Sequence, residues 1–186
     1  LQHSRSGQGE KEATDINKLV ESVLRMVCHS LSNKDQWQHV KVHRSFDPNL
    51  KKLKVNPQDL GRVVLNLLTN AFHAVQEKKM REGEQDYQPQ ISVETKKRKD
   101  HVEIRIQDNG TGISSTIREK IFNPFFTTRR SGEGTGLGLS ISYDAIKVHG
   151  GEIKVETEEG VGSTFVVILP LLIGSTAAKP GKQDEL

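Results

Sequence analysis

Residues 57–79, PQDLGRVVLNLLTNAFHAVQEKK, decide how the rest of the chain is read. Proline suits the first turn of a helix, where the N–H it lacks would have no intrahelical partner. Leu60, Val63, Val64, Leu67, Leu68, Ala71, Phe72 and Val75 then recur at helical spacing and form one apolar stripe. A helix with such a stripe must bury it against another layer. Beside it, Asn66, Asn70 and His73 or Ala74 recur at intervals of three and four, so they share a second, polar face. Two carboxamides a turn apart offer neutral oxygens to a hard cation such as Mg²⁺, which keeps several waters and takes few protein ligands. Read alone, the same pair is equally compatible with plain solvent exposure.

Outward from this helix, the chain alternates between two periodicities. Upstream, Asp15 can cap a helix carrying Ile16, Leu19, Val20, Val23, Leu24 and Val27 on one side. Residues 39–46 and 52–55 alternate like strands and are separated by the turn signal Asp47-Pro48-Asn49. Downstream, 91–97 and 101–108 read as a hairpin joined by Arg98-Lys99-Asp100. A short helix is predicted at about 114–121, a Gly/Thr/Arg-rich loop at 127–135, a helix at about 136–149 ending at Gly150-Gly151, and strands at 152–157 and 163–170. Helices interleaved with strands in this order predict an α/β (α+β) two-layer sandwich, with three main helices on one face of a mixed β-sheet.

Length and composition bound the possibilities. The chain has 186 residues, enough for about one domain. Residues 1–14 and 171–186 are polar or Gly/Ser-containing and read as a linker and a flexible tail, leaving 15–170 as the domain proper. Cys28 is the single cysteine, which excludes an intrachain disulfide and a cysteine-rich zinc site. The longest apolar run, Phe165 to Ile173, is nine residues and is interrupted by Pro170, far short of the ~20 that a membrane helix needs. No direct membrane contact is expected of this segment. LQHSRSGQGEKE lacks an apolar export signal, so the terminal QDEL reads as a polar tail and the expected setting is cytoplasmic. That setting includes the cytoplasmic portion of a membrane-bound sensor. The net charge of +3 suits phosphate-bearing ligands and is too small for a dedicated nucleic-acid binder. Lys96 to Lys99 form the one basic run, read as a solvated hairpin turn, so no nucleic-acid partner is expected.

Two further segments carry chemistry. Asp108-Asn109-Gly110-Thr111-Gly112-Ile113 directly follows a strand, where a carboxylate can accept from an exocyclic amine and glycines let the backbone approach a flat ring. Alone, it also reads as a simple turn. Gly132 to Ser140 brings several glycines into a helix start, whose free N–H groups suit phosphate. It is neither a dinucleotide fingerprint nor a Walker loop, since no strand closely precedes it and no Gly-Lys-Ser/Thr ends it. Arg129 and Arg130 stand just before it, within reach of phosphate oxygens or of solvent.

In order and spacing, NLLTNAFHA (66–74), DNGTGI (108–113), FNPFFTT (122–128), GTGLGLS (134–140) and GVGSTFVVILP (160–170) resemble the N, first glycine, F, second glycine and final glycine-strand boxes of sensor histidine kinases. These are the ATP-binding boxes of the catalytic domain in two-component systems, within the Bergerat-fold ATPase superfamily. The resemblance covers about 16–170. It implies ATP and Mg²⁺ as ligands, with Asn70 on the metal and Asn66 supporting the phosphate end as the catalytic pair. It further implies Asp108 on the adenine amino group, with Gly110, Gly112 and Ile113 shaping that pocket and Thr164 nearby. Phe122, Phe125 and Phe126 would anchor a mobile lid of about 127–135, with Thr127, Arg129 and Arg130 toward the nucleotide. Gly134, Thr135, Gly136, Leu137, Gly138 and Leu139 would hinge that lid and present backbone donors to the phosphates.

One departure from the family pattern and one contrast with its hydrolysing relatives bear on the activity. His73 stands where many members carry a lysine, and a histidine is a weaker cation at neutral pH. Relatives that hydrolyse ATP place a glutamate at the position of Asn66, and a carboxamide cannot act as general base. The resemblance therefore implies phosphoryl transfer rather than hydrolysis, with a Bergerat-fold ATPase or a nucleotide-sensing module as alternatives. None of His3, His29, His39, His43, His73, His101 and His149 is followed by an acidic residue, as family acceptor histidines are. The expected partners are then a separate dimerisation and phosphoacceptor domain, of which residues 1–14 would be the linker or last helical turn, and a response-regulator receiver domain. The fragment itself is expected to be monomeric.

Overall fold

The computed structural model describes residues 10–32, 39–82, 87–129 and 134–171. Ten elements follow in chain order: β1 (Glu12–Thr14), α1 (Ile16–Ser32), β2 (Lys41–Phe46), β3 (Leu53–Val55), α2 (Pro57–Glu82), β4 (Gln90–Lys97), β5 (His101–Asp108), α3 (Gly138–Val148), β6 (Glu152–Glu158) and β7 (Gly162–Pro170). Five strands form one sheet in the order β2-β4-β5-β7-β6. β2 runs parallel to β4 and the other pairs are antiparallel, so the sheet is mixed as expected.

The helices begin where side chains satisfy their free N–H groups. Asp15 Oδ1 accepts from Lys18 N at 3.1 Å and opens α1. Asn56 Oδ1 accepts from Gln58 N and Asp59 N at 3.0 and 3.2 Å, placing Pro57 at the first helical position of α2. All eight residues of the α2 stripe are 3% exposed or less. They meet the inner face of the sheet, where strand alternation puts Ile91, Val93, Ile104, Ile106, Phe165 and Val167 on one buried side, with Val93 opposite Ile106 and Ile106 opposite Phe165. Truncating one fully buried leucine here, such as Leu67, would cost about 2–5 kcal/mol.

The structure departs from the sequence expectations at four places. Glu12–Thr14, within the stretch read as linker, pairs with β3 in a separate two-stranded sheet, so β2 and β3 belong to different sheets despite the turn between them. Residues 114–122 form successive turns, with Ile117 N and Lys120 N bonding Ser114 O and Ile117 O, rather than a regular helix. Ser114, Ser115 and Thr116 compete for local backbone bonds, and Pro124 blocks continuation. α3 starts at Gly138, two residues later than expected. α2 runs three residues past Lys79, to Glu82.

α2 and α3 are tied together at two points. His149, at the C-terminus of α3, accepts from Asn56 N through Nε2 at 2.9 Å, while its Nδ1 lies 2.7 Å from Ala145 O. At the other end, Asn66 Nδ2 donates to Gly138 O and to Ser142 Oγ, both at 3.1 Å. Between these ties, the N-terminus of α3 is held beside the polar face of α2.

Candidate nucleotide site

A cleft of about 480 Å³ opens between that polar face, the ends of β5 and β7, the 111–129 segment and the start of α3. At its base is Asp108, the last residue of β5 and only 5% exposed. Its Oδ1 accepts from Gly110 N at 2.8 Å. Burial pushes the carboxyl up to about 6, opposed by the N–H groups of Gly110 and Ser163 and by the Lys78 ammonium. A carboxyl group held this way is a buried acceptor aimed by backbone rather than by a flexible side-chain partner.

The Asp-Asn-Gly turn is fixed from several sides. Asn109 Oδ1 accepts from Gln90 N at 2.8 Å and its Nδ2 donates to Gln88 O at 2.9 Å. Tyr87 Oη is 3.0 Å from both Asn109 O and Asn109 Oδ1. At Gly110 a Cβ would sit 2.5 Å from the Ala74 carbonyl carbon, so only glycine lets the turn lie against α2. Gly112 has φ +66°, and a Cβ there would come within 2.0 Å of Glu158 O. Ile113 N then donates to Thr157 Oγ1 at 2.9 Å, which joins the turn to β6.

At the opposite end, Asn70 Oδ1 accepts from Arg129 Nη2 at 2.7 Å, a charge-assisted bond from the segment after Phe126 to α2. Arg129 N donates to Thr127 Oγ1 at 3.1 Å, which turns the chain there. Asn66 spends its Nδ2 donors on α3 and so holds α3 beside Asn70, while the residue also lines the cleft.

Of the residues singled out from sequence, Asn66, Asn70, His73, Asp108, Gly112, Ile113, Phe126, Thr127, Arg129, Gly134, Thr135, Gly136, Gly138 and Leu139 line this one cleft. Gly110, Phe122, Leu137 and Thr164 do not. Gly110 and Leu137 lie in the turns that shape it, and Phe122 stacks on Tyr143 with ring centroids 5.4 Å apart. Thr164 is replaced in the lining by its neighbours Ser163 and Phe165, because alternate residues of β7 face opposite sides of the sheet. The period of two along β7 separates Thr164 from Ser163 and Phe165, and the pairing of Asp108 with Ser163, which only the structure supplies, puts the latter two on the cleft side. Phe125 is 75% exposed at φ +66° and does not anchor the lid, whereas Phe122 and Phe126 pack on the core. Glu77 and Thr69 also line the cleft and were not singled out. Arg130 lies outside the described residues.

A buried acceptor at the base of a cleft of this size, facing a helix edge of carboxamides and a glycine-rich helix start, defines a nucleotide-binding class of site. Residues 55–173 match the family model described as histidine kinase-, DNA gyrase B-, and HSP90-like ATPase, and the chain belongs to that family. Within it, the chain is 35% identical over 182 residues to the sensor histidine kinase ZraS of Salmonella typhimurium, covering 87% of this chain and 37% of ZraS. It is 34% identical over 172 residues to the signal transduction histidine-protein kinase AtoS of Escherichia coli K12, covering 92% of this chain and 26% of AtoS. The chain therefore spans about a third of the length of these relatives. Among solved structures, the catalytic domain of histidine kinase ThkA superposes with a TM-score of 0.72 at 26% identity, covering 88% of this chain and 97% of that one. Among the described residues no helix is long and apolar enough to cross a membrane.

Proposed function

We propose that this chain is the ATP-binding catalytic part of a sensor histidine kinase, transferring the γ-phosphoryl group to a histidine on a separate dimerisation and phosphoacceptor domain. The observation that carries this reading is the pairing of buried Asp108 with a helix edge bearing Asn66 and Asn70 across one cleft. Asp108 accepts from the adenine amino group, and the pinned turn at 109–113 shapes the space for the ring. The triphosphate extends toward Asn70, Arg129 and the N-terminus of α3, whose free amides favour negative charge.

The donor set fits Mg²⁺ in the way such sites use it. Among the described residues no cluster of three His, Cys, Asp or Glu is placed to hold a metal, while Asn70 Oδ1 faces the cleft as a neutral hard oxygen. One protein oxygen plus substrate phosphates is a common share for this ion. When bound, Mg²⁺ would neutralise charge on the phosphates. The chain's own contribution is positioning: Asp108 fixes the base, Asn66 fixes α3, and His73 and Arg129 border the phosphate end. His73 takes the place that lysine fills in many relatives, so Arg129 carries more of the charge compensation here. A carboxamide at position 66 leaves water without a general base there, which favours transfer over hydrolysis.

The acceptor domain, the response regulator that receives the phosphoryl group next and a cytoplasmic setting with access to ATP are parts of the same proposal. Its test is incubation of the chain with γ-labelled Mg²⁺-ATP and a dimerisation domain supplied in trans. Label on an acceptor histidine, acid-labile and absent when Asp108→Asn replaces the wild type, is the expected result. Steady release of phosphate without transfer would favour the hydrolase reading, and tight binding with neither outcome would favour a nucleotide sensor.

A further inference from the structure

Resting on the proposed nucleotide site, we infer that Arg129 serves as an internal stand-in for the metal at Asn70, so that Mg²⁺-nucleotide loads by exchanging the guanidinium for the ion at one oxygen. Asn70 Oδ1 is the atom the site would offer to Mg²⁺, and in this structure it accepts from Arg129 Nη2 at 2.7 Å. A guanidinium at hydrogen-bond distance from that oxygen and a divalent ion bonded to it would be closely spaced like charges in a partly buried site, so occupancy by one opposes the other.

The placement is built rather than incidental. Thr127 Oγ1 accepts from Arg129 N and sets the local turn. The Arg129 stem then passes Gly134, where an added Cβ would be 3.3 Å from both Arg129 Cδ and Thr127 Oγ1. Asn66, by holding Gly138 and Ser142, keeps α3 next to the same helix face. A cation is thereby threaded between two segments onto the single amide oxygen that the metal requires. Once displaced, the same side chain is at the phosphate end of the cleft, where it can pair with the ligand that displaced it.

The exchange makes Mg²⁺ and Arg129 antagonists through Asn70, and this separates it from a simple phosphate contact. The test compares ADP affinity in EDTA with that in Mg²⁺ by calorimetry for wild type, Arg129→Ala, Asn70→Ala and the double variant. With exchange, the Mg²⁺ stimulation of ADP binding rises about fivefold or more in Arg129→Ala, and this rise disappears in the Asn70→Ala background. If Arg129 only neutralises phosphate, the rise persists without Asn70, and the inference is overturned. No rise in the single variant overturns it as well. A second readout needs no substitution to fold: the Arg129 guanidinium resonances of labelled wild-type protein should show one environment, bonded to Asn70, when empty and with ADP in EDTA, and move to a different environment on adding Mg²⁺. Unchanged resonances on adding Mg²⁺ overturn the exchange. Wild-type protein that fails to bind ADP in either condition sinks the nucleotide-site reading itself, whereas Mg²⁺-stimulated binding indifferent to Arg129 sinks only the exchange.

Discussion

The Asp108 end of the cleft and the Asn70 end differ in what holds them. Asp108 closes a central strand, its carboxyl is met by backbone N–H groups, and the turn after it is bonded to β4 and β6 and packed against α2. Asn70 meets its partner through one side chain reaching across from a loop. The first end is complete before any ligand arrives. The second depends on a contact that a ligand can replace. Under the proposed function the first end reads the base and gains from rigidity, since a preformed acceptor costs no ordering on binding. The second would then admit and release phosphates and gains from exchangeable partners.

The largest expected effect breaks the rigid end. Asp108→Asn turns the acceptor into a group that also presents a clashing donor to the adenine amino group, and nucleotide affinity should fall by about 100-fold or more by calorimetry. The nucleotide-free fold should survive this change, as a thermal melt would show. A variant that binds ADP normally would remove Asp108 from the proposed role.

Gly112→Ala comes next. With φ +66° and Glu158 O within 2.0 Å of the new Cβ, the turn has to shift, and denaturant unfolding should register a loss of about 2–4 kcal/mol. An unchanged midpoint would mean that the rigid end has more slack than its geometry shows.

Titration gives the third expectation. The Asp108 carboxyl sits at about 6 when folded, above its ordinary value near 3.8, because burial favours the neutral form. Its contribution to stability is therefore fully present below the unfolded value and is lost as pH rises through about 6. In the proposed role nucleotide binding has the opposite slope, because the carboxylate is a stronger acceptor for the adenine amino group than the neutral acid. ADP affinity should decline by up to about tenfold per unit as pH drops below about 6, with Asp108→Asn showing no such decline. A flat profile in the wild type would contradict the assignment.

Smaller still is Asn66→Ala, which removes two bonds from α2 to α3 and should cost about 1–2 kcal/mol in unfolding, with the start of α3 exchanging its amides faster. The smallest effect is expected at Phe125. As a 75% exposed side chain it should tolerate Phe125→Ser within about 0.5 kcal/mol, and a larger loss would show that it anchors the lid after all.

Much of this architecture could be read from local pattern. The α2 stripe, the β4–β5 hairpin and the amphipathic α1 are periodic over several turns or residues, so each announces itself without knowledge of the others. β1 was missed because three residues carry no usable period, and its pairing with β3 is decided by a contact about forty residues away in sequence. The expected helix at 114–121 gives way to turns because its two cleft-lining isoleucines, Ile117 and Ile121, suit a helix as well as a set of turns, while Ser114, Ser115, Thr116 and Pro124 weigh against the helix.

The candidate site divides along the same line. Residue type and spacing put forward Asn66, Asn70, Asp108, Gly112 and the 132–140 segment, each with a plain structural reading beside it, and only their order as a set, through the family resemblance, implied roles for them. What the chain's order could not determine is which atom faces which. The choice of Ser163 over Thr164 follows from the register of β7 against β5. The exposure of Phe125 follows from a left-handed backbone that turns it out of the core. The engagement of Asn66 by α3 and of Asn70 by Arg129 joins residues far apart in sequence, across gaps that only the packing of α2 against α3 and the 126–129 segment brings within hydrogen-bond distance.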